Sequence, residues 1–219
     1  MPLVIFDCDG VLVDSETLEN EISARCLTKA GFPITGPQAR ERFIGLTTQA
    51  MMDQVEAELG RKLPMDWAAN YHACSHTALA GQVEAIEGVV AAIDALEAMG
   101  FETAVASSGE HAKMKITLGR TGLYKRFAGR IFSAQDVAHG KPAPDVYLLA
   151  AKTLGYKPED CFAIEDSPIG ARASVAAGMQ TFGYAAQFNP ALLIASGVSH
   201  VFFDMADLPG LVAHAHAHF

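Results

Sequence analysis

Short apolar runs alternate with amphipathic patterns along most of the chain. A short apolar run bounded by polar residues or glycine predicts a buried strand, whereas apolar residues three and four positions apart predict a helix that packs on one face. The predicted strands are Leu3 to Phe6, Thr103 to Ala106, Ile131 to Ser133, Cys161 to Ile164, Gln180 to Tyr184 and His200 to Phe203. Because strands and helices alternate, the pattern predicts an α/β fold, a doubly wound parallel sheet with helices on both faces.

Glycine and capping residues mark the limits of the predicted helices. The helical pattern that begins at Val89 ends at Gly100. Ser167 followed by Pro168 is typical of a helix cap and first helical position, and Gly178 closes the same helix. The helices between the strands are therefore short, as crossover connections in a parallel sheet are.

One long stretch after the first strand contains helical patterns and no convincing strand. We therefore predict an all-helical domain at residues 15–83, inserted into a core formed by residues 1–14 and 84–219. Glycines near both connections suit hinges and plain turns equally well. Histidines recur in the last six residues, His214 to Phe219, where the pattern indicates either a weak metal-binding tract or a solvated end.

Composition and charge narrow the classes of partner. With 219 residues, 50% of them hydrophobic, the chain can bury a full core without disulfides or a structural metal. The net charge of −9 argues against nucleic acid and against an anionic membrane surface as partners. No apolar run approaches the length of a membrane span, and the apolar run that starts at Leu3 has no basic segment before it, as a signal peptide would. The four cysteines show no zinc or redox spacing, which favours a reducing, cytoplasmic location.

Two carboxylates follow the first predicted strand in the stretch FDCDG. If the strand continues through them, Asp7 and Asp9 point to the same side, about 6.6 Å apart, and Cys8 points to the other side as a small buried residue. Gly10 then permits a sharp departure of the backbone. Taken alone, such a stretch is more typical of a turn than of a site.

Further polar groups follow the other predicted strands. Each has an ordinary explanation as a strand-end hydroxyl, a solvated loop lysine or an acid favoured by a helix dipole. Together they occupy one edge of the sheet, where ligands of open parallel sheets bind. These groups are Ser107, Ser108 and Gly109 after the second strand, Lys141 in GKPAPD after the third, and Glu165 and Asp166 after the fourth.

Four carboxylates at one place repel one another, by about 1 to 4 kcal/mol for each close pair, and so imply a bound cation. Carboxylate oxygens suit Mg²⁺, which leaves room for water and a substrate phosphate. Lys141 adds positive charge for a phosphoryl group. The hydroxyl of Ser107 and backbone N–H groups near Ser108 and Gly109 add hydrogen-bond donors.

These residues, in this order, resemble the four motifs of the haloacid dehalogenase superfamily. The motifs are Asp7 to Asp14 (DCDGVLVD), Ser107, Lys141 within GKPAPD, and Glu165-Asp166, and the resemblance covers nearly the whole chain. It is greatest to the branch with a helical cap that contains β-phosphoglucomutase-like and phosphoglycolate-phosphatase-like enzymes. The resemblance implies a Rossmann-like core and Mg²⁺-dependent phosphoryl transfer.

The resemblance also implies a role for each motif residue. Asp7 is expected to be the nucleophile that forms an aspartyl-phosphate, and Asp9 the general acid and base. Mg²⁺ is expected to be held by Asp7, the backbone carbonyl of Asp9, Asp166, and Glu165 directly or through water. Lys141 and Ser107 are expected to hold the phosphoryl group. Asp9 favours phosphoryl transfer, because the dehalogenases of the superfamily lack this second aspartate.

Three functional hypotheses follow, and the first is a phosphatase. A phosphosugar mutase is the alternative. The mutases of this branch carry a histidine and an arginine in the cap, whereas this chain has Glu19 and Thr48 at those positions. Both changes remove groups suited to a second phosphate. Arg42, before the Gly45-Leu46-Thr47-Thr48 loop, is expected to be a surface arginine rather than an anion ligand. A non-catalytic regulator that binds a phosphorylated ligand is the third hypothesis, although no catalytic position is replaced.

The expected substrate is a small phosphorylated metabolite. Short stretches such as AIEGV at residues 85–89 are similar to those of bacterial sugar-phosphate and sugar-acid-phosphate phosphatases. They favour a sugar phosphate or a sugar-acid phosphate such as 6-phosphogluconate as the substrate. The expected oligomeric state is a monomer or a weak dimer.

Overall fold

The computed structural model describes residues 2–43, 46, 48–186 and 189–217. Within these residues the chain forms six strands and eleven α-helices. The strands are β1 (Leu3–Phe6), β2 (Glu102–Ser107), β3 (Ile131–Ser133), β4 (Cys161–Glu165), β5 (Gln180–Tyr184) and β6 (His200–Phe202). The helices are α1 (Glu16–Lys29), α2 (Gly36–Phe43), α3 (Thr48–Leu59), α4 (Trp67–Gln82), α5 (Val89–Ala98), α6 (His111–Arg120), α7 (Leu123–Arg126), α8 (Asp145–Leu154), α9 (Pro168–Ala176), α10 (Pro190–Ala195) and α11 (Leu208–His216).

All six strands form one parallel sheet in the order β3-β2-β1-β4-β5-β6. The central strand, β1, pairs Leu3 with Glu102 on one side and with Cys161 on the other. The strand order reverses direction at β1, so the crevice for a ligand is expected beyond the carboxyl end of this strand. The predicted α/β fold with a doubly wound parallel sheet is confirmed.

Helices cover both faces of the sheet. Leu3 and Ile5 of β1 belong to an apolar cluster with Val146 and Tyr147 of α8, while Phe6 faces the other way and its ring lies 6.5 Å from that of Phe127, next to α7. Every residue of β1 is therefore buried, as the uninterrupted apolar run indicates for a strand covered on both sides.

The chain divides into two compact units, residues 1–14 with 84–219 and residues 15–83. The described part of the second unit contains helices α1 to α4 and no strand. Its own apolar core includes Leu27, Phe43, Val55 and Trp67. In the cap loop named above, Gly45 and Thr47 lie outside the described residues, and Thr48 is the first residue of α3.

The strands differ in small ways from those predicted. β2 begins one residue earlier, at Glu102, β2 and β4 each end one residue later, at Ser107 and Glu165, and β6 ends at Phe202 rather than Phe203. α11 runs to His216, while His218 and Phe219 of the histidine-rich tail lie outside the described residues. Among the helices of the described chain, none combines the length and the apolar character that crossing a membrane requires.

β1 ends at Phe6, as predicted, and does not continue through the two carboxylates that follow it. The Asp7 N–H still donates to the Ile164 carbonyl of β4, at 2.9 Å. The Cys8 carbonyl then accepts the N–H groups of Leu12 and Val13, at 2.9 and 3.1 Å, which closes a tight turn. Cys8 is nevertheless fully buried, as predicted, but the turn places it there rather than the alternation of a strand.

Candidate active site

The predicted site residues meet at the carboxyl edge of the sheet, all within the unit formed by residues 1–14 and 84–219. Asp7 and Asp9 come from the turn after β1, and Lys141 comes from the segment between β3 and α8. Ser107 and Glu165 are the last residues of β2 and β4, and Asp166 follows directly. Asp7, Ser107, Glu165 and Asp166 are buried, Ser108 is exposed, and Gly109 and Lys141 have intermediate exposure as whole residues.

Lys141 connects two of the acids at this edge of the sheet, Asp7 and Glu165. Its Nζ donates to Asp7 Oδ1 and to Glu165 Oε1, both at 2.6 Å, and to the Ala106 carbonyl at 3.0 Å. The side chain is 3% exposed, and its Nζ lies 4.9 Å from the centre of the Tyr147 ring. Burial lowers the pKa of Lys141, but the charges of Asp7 and Glu165 outweigh it and raise the pKa above its usual value. Lys141 is therefore a fixed positive charge in the cluster.

Asp7 is buried beside like charges. Burial raises its pKa most, the Lys141 charge lowers it, and the Glu165 and Asp9 charges raise it, with a net rise to about 7. Lys141 alone therefore does not hold Asp7 fully ionised near neutral pH. An additional cation would favour its charged, nucleophilic form.

The acid cluster fits a hard divalent cation. Ligand oxygens of Asp7, Glu165 and Asp166 lie within 4.8 Å of one another, and all three residues are buried. Three carboxylates against the one ammonium of Lys141 leave negative charge for an ion to neutralise, and an all-oxygen donor set suits Mg²⁺. Gly10, at φ +80°, leaves space there, because a Cβ at this position would lie 2.0 Å from Asp166 Oδ2.

Glu165 is the most enclosed of the acids. Its Oε1 accepts from Lys141 and, at 2.6 Å, from the hydroxyl of Tyr147, and its Oε2 accepts from Ser167 Oγ at 3.3 Å. Gly170 makes room for it, since a Cβ there would lie 1.9 Å from Glu165 Oε1. Both Glu165 oxygens are thus bound by protein groups, and these contacts orient the Lys141 ammonium toward Asp7.

The predicted phosphate-binding segment after β2 is held by its own hydrogen bonds. Gly109 N–H donates to Ser107 Oγ at 2.9 Å, and Ser133 Oγ donates to the Gly109 carbonyl at 2.7 Å. In the first bond the Ser107 hydroxyl is the acceptor, so its own proton can be donated to an anion. Ser133, at the end of β3, was not a predicted site residue.

Two further residues that were not predicted as site residues contact the cluster. Tyr147, on α8, donates to Glu165, and burial first and then the Glu165 charge raise its pKa well above the usual value. Lys113, on α6, forms an ion pair with Asp9, with Nζ and Oδ1 3.2 Å apart. Neither has a motif spacing that could reveal it. An apolar helix face that carries one tyrosine is the only sequence signal for Tyr147.

Comparison with known proteins identifies the class to which this fold and site belong. A family model described as haloacid dehalogenase-like hydrolase matches residues 4–184. A 6-phosphogluconate phosphatase of Escherichia coli is 30% identical over 209 residues, which cover 95% of this chain and 93% of that protein. The chain therefore belongs to the haloacid dehalogenase-like hydrolase family, as predicted. The predicted enzyme class, a phosphoric monoester hydrolase, agrees with the phosphatases named among these relatives.

Solved structures support the same assignment. A conserved haloacid dehalogenase-like protein of Agrobacterium tumefaciens has a TM-score of 0.88 at 32% identity, and the match covers 99% of both chains. A haloacid dehalogenase family hydrolase of Deinococcus radiodurans, crystallised with bound phosphate and sodium, has a TM-score of 0.86 at 30% identity. That match covers 99% of this chain and 96% of the other.

Proposed function

We propose that the chain is a Mg²⁺-dependent phosphatase that hydrolyses a small sugar phosphate or sugar-acid phosphate, such as 6-phosphogluconate, through an aspartyl-phosphate. One observation carries the proposal: the buried carboxylate of Asp7 lies 2.6 Å from Lys141 Nζ, within a cluster that also contains Glu165 and Asp166. The name of the Escherichia coli relative supports the substrate class.

In the proposed reaction Asp7 is the nucleophile. Its carboxylate oxygen attacks phosphorus, the bond from phosphorus to the substrate oxygen breaks, and Asp9 donates a proton to that leaving oxygen. Water then attacks phosphorus, Asp9 takes its proton, and the bond to Asp7 breaks to release inorganic phosphate. The ion pair with Lys113 limits where the Asp9 carboxylate points.

The other site residues would bind and orient the phosphoryl group. Lys141 and the Ser107 hydroxyl would contact its oxygens, together with backbone N–H groups near Ser108 and Gly109. Mg²⁺ would be held by Asp7, Asp166 and the backbone carbonyl of Asp9, with Glu165 directly or through water. A bound ion would supply charge that neutralises the phosphoryl oxygens. The contacts of Glu165 with Lys141 and Tyr147 favour the water-mediated arrangement.

The helical unit, residues 15–83, would act as the cap that selects the substrate. It has its own apolar core and contributes none of the acids or the lysine described above. The larger unit would perform the chemistry, and the cap would recognise the part of the substrate that does not react.

Chelation of the metal is expected to abolish hydrolysis. In a screen of phosphorylated metabolites with Mg²⁺ present, at least one sugar phosphate should release inorganic phosphate, and excess EDTA should lower that rate by roughly a hundredfold or more. Adding Mg²⁺ in excess of the chelator should restore it. A rate that EDTA leaves unchanged would contradict the proposed role of the acid cluster.

The products formed from glucose phosphates distinguish a hydrolase from a mutase. Incubation with glucose 1-phosphate or glucose 6-phosphate is expected to release inorganic phosphate without interconverting the two esters. The reason is that Glu19 and Thr48 provide no cation to hold a second phosphate in the cap. Phosphorus NMR of the mixture would report both outcomes, and interconversion without phosphate release would favour the mutase instead.

A further inference from the structure

Asp9, the proposed general acid and base, lies apart from the other acids of the site. The carboxylates whose oxygens all lie within 4.8 Å of one another are those of Asp7, Glu165 and Asp166. Asp9 is not in this group, and its side chain is 22% exposed, whereas the three grouped acids are buried. The direction of the Asp9 carboxylate therefore has to be explained by other contacts.

Lys113 provides such a contact from α6, within the same unit of the chain. Its Nζ lies 3.2 Å from Asp9 Oδ1, and its side chain is 20% exposed. The helix that carries it is held at its start, because the His111 N–H donates to Gln135 Oε1 at 3.2 Å and Met114 is 1% exposed. A cation on an anchored helix thus meets one oxygen of the carboxylate.

The second oxygen of Asp9 borders the proposed phosphate-binding segment. A Cβ added to Gly109 would lie 3.4 Å from Asp9 Oδ2 and 3.2 Å from Ser107 Oγ, so both oxygens lie next to the same glycine. Because a carboxyl group is planar, holding Oδ1 at Lys113 restricts where Oδ2 can lie. Oδ1 can accept a hydrogen bond from the ammonium whether or not Oδ2 carries a proton. The ion pair is therefore compatible with both the acid and the base form of Asp9.

The ordinary explanation for Lys113 is an ion pair of little consequence near the surface. Two observations go beyond it. The side chains of Lys113 and Asp9 are each about four-fifths buried, and the pair joins α6 to the turn after β1. The other lysine of the helix, Lys115, is exposed. The helix thus presents one particular lysine to the proposed acid.

We propose that Lys113 is a positioning residue, which holds Asp9 Oδ1 so that Oδ2 is directed at the oxygen of the leaving group. The inference rests on the proposed function. In the first step a proton moves from Asp9 Oδ2 to the leaving oxygen as the bond from that oxygen to phosphorus breaks. In the second step Oδ2 takes a proton from the water that attacks phosphorus. Lys113 itself gains and loses no proton.

The test compares kcat/KM for two aryl phosphates that differ in their need for an acid. The anion of 4-nitrophenol leaves readily without a proton, whereas the more basic anion released from phenyl phosphate depends on protonation. The ratio kcat/KM covers the steps up to the aspartyl-phosphate, which include this proton transfer. Lys113→Met is expected to lower kcat/KM by about tenfold to a hundredfold for phenyl phosphate and by less than about threefold for 4-nitrophenyl phosphate.

Three further variants serve as references. Asp9→Asn removes the acid itself and gives the full size of the leaving-group effect. Lys113→Arg keeps a cation at the position and is expected to recover most of the loss. Lys115→Met, the same change at the exposed position of α6, should leave both values of kcat/KM within error of the wild type.

The two esters are compared within one preparation, so a difference in the amount of folded enzyme cancels. If Lys113→Met does not fold, Lys113→Gln, which keeps a polar side chain, is measured in its place with the same expected ratio.

The outcomes separate this inference from the proposed function. If Asp9→Asn lowers kcat/KM selectively for phenyl phosphate but Lys113→Met lowers it equally for both esters, or for neither, the inference fails and the proposed phosphatase stands. A selective loss that Lys113→Arg shares in full would also overturn the inference, because the cation would not be its cause. If Asp9→Asn lowers both esters equally, or the wild type hydrolyses neither, the proposed mechanism fails and this inference with it.

Discussion

Replacing Asp7 with Asn is expected to lower the rate of aryl phosphate hydrolysis by a factor on the order of 10⁴ to 10⁶, as removal of a covalent nucleophile does elsewhere. The amide of Asn cannot form the acyl phosphate, because its oxygen is a poor nucleophile and carries no charge. Folding should change little. Lys141 keeps Glu165 and the Ala106 carbonyl as partners, and one of the buried negative charges is removed.

Two measurements check this expectation. Steady-state hydrolysis with Mg²⁺ present gives the rate, and chemical denaturation gives the free energy of unfolding. Asp160→Asn, the same chemical change at an exposed position before β4, should leave both within error of the wild type. An Asp7→Asn variant that turns over at the wild-type rate would rule out the aspartyl-phosphate. A variant that is inactive because it is unfolded would show in the denaturation curve.

The fold could be predicted from the sequence because its strands are short apolar runs between clear helix ends. The apolar run at Leu3 to Phe6 is buried on both faces. In a chain whose strands and helices alternate, such a run is typical of a buried parallel strand. Ser167 accepts the Gly170 N–H at 3.1 Å, which is the capping contact that its place before Pro168 predicts. These signals are local, so one sequence is enough to show them.

The path of the chain after β1 could not be predicted, because it depends on contacts with a distant segment. The Ile164 carbonyl accepts the Asp7 N–H, and the Cys8 carbonyl accepts the N–H groups of Leu12 and Val13 in the turn. Gly10 permits the turn that follows, but the sequence does not show where the turn begins.

Glu165 and Asp166, at the end of β4, have different surroundings because the strand ends between them. Ala163 faces α8 in the apolar cluster, and because β4 continues through Glu165, that side chain faces α8 as well, where Tyr147 donates to it. Asp166 lies beyond the strand. The sequence shows two adjacent acids, and only the position of the strand end separates a residue that orients Lys141 from one that faces the proposed ion.

Replacing Lys141 with Met is expected to lower the free energy of unfolding by about 3 to 5 kcal/mol at pH 8 in the absence of Mg²⁺, besides abolishing hydrolysis. The side chain is 3% exposed and pairs with two buried carboxylates, Asp7 and Glu165. Its removal leaves both negative charges buried without a partner of opposite sign. Denaturation with urea would measure the loss, and Lys157→Met, whose side chain is 76% exposed, should change stability by less than about 1 kcal/mol.

The loss should shrink as the pH falls, which distinguishes buried charge from lost packing. Burial already raises the pKa of Asp7 to about 7 with Lys141 present, and losing the lysine raises it further. Because the unfolded chains have the same aspartate pKa, near 3.9, the two proteins differ only between about pH 7 and the higher pKa of the variant, where the folded variant still binds a proton at Asp7 and the folded wild type does not. Its stability relative to the wild type therefore rises as the pH is lowered from 8 to 5.5. A deficit that is equal at both pH values would mean that Lys141 stabilises the fold through the packing of its carbon chain rather than by neutralising the carboxylates of the site.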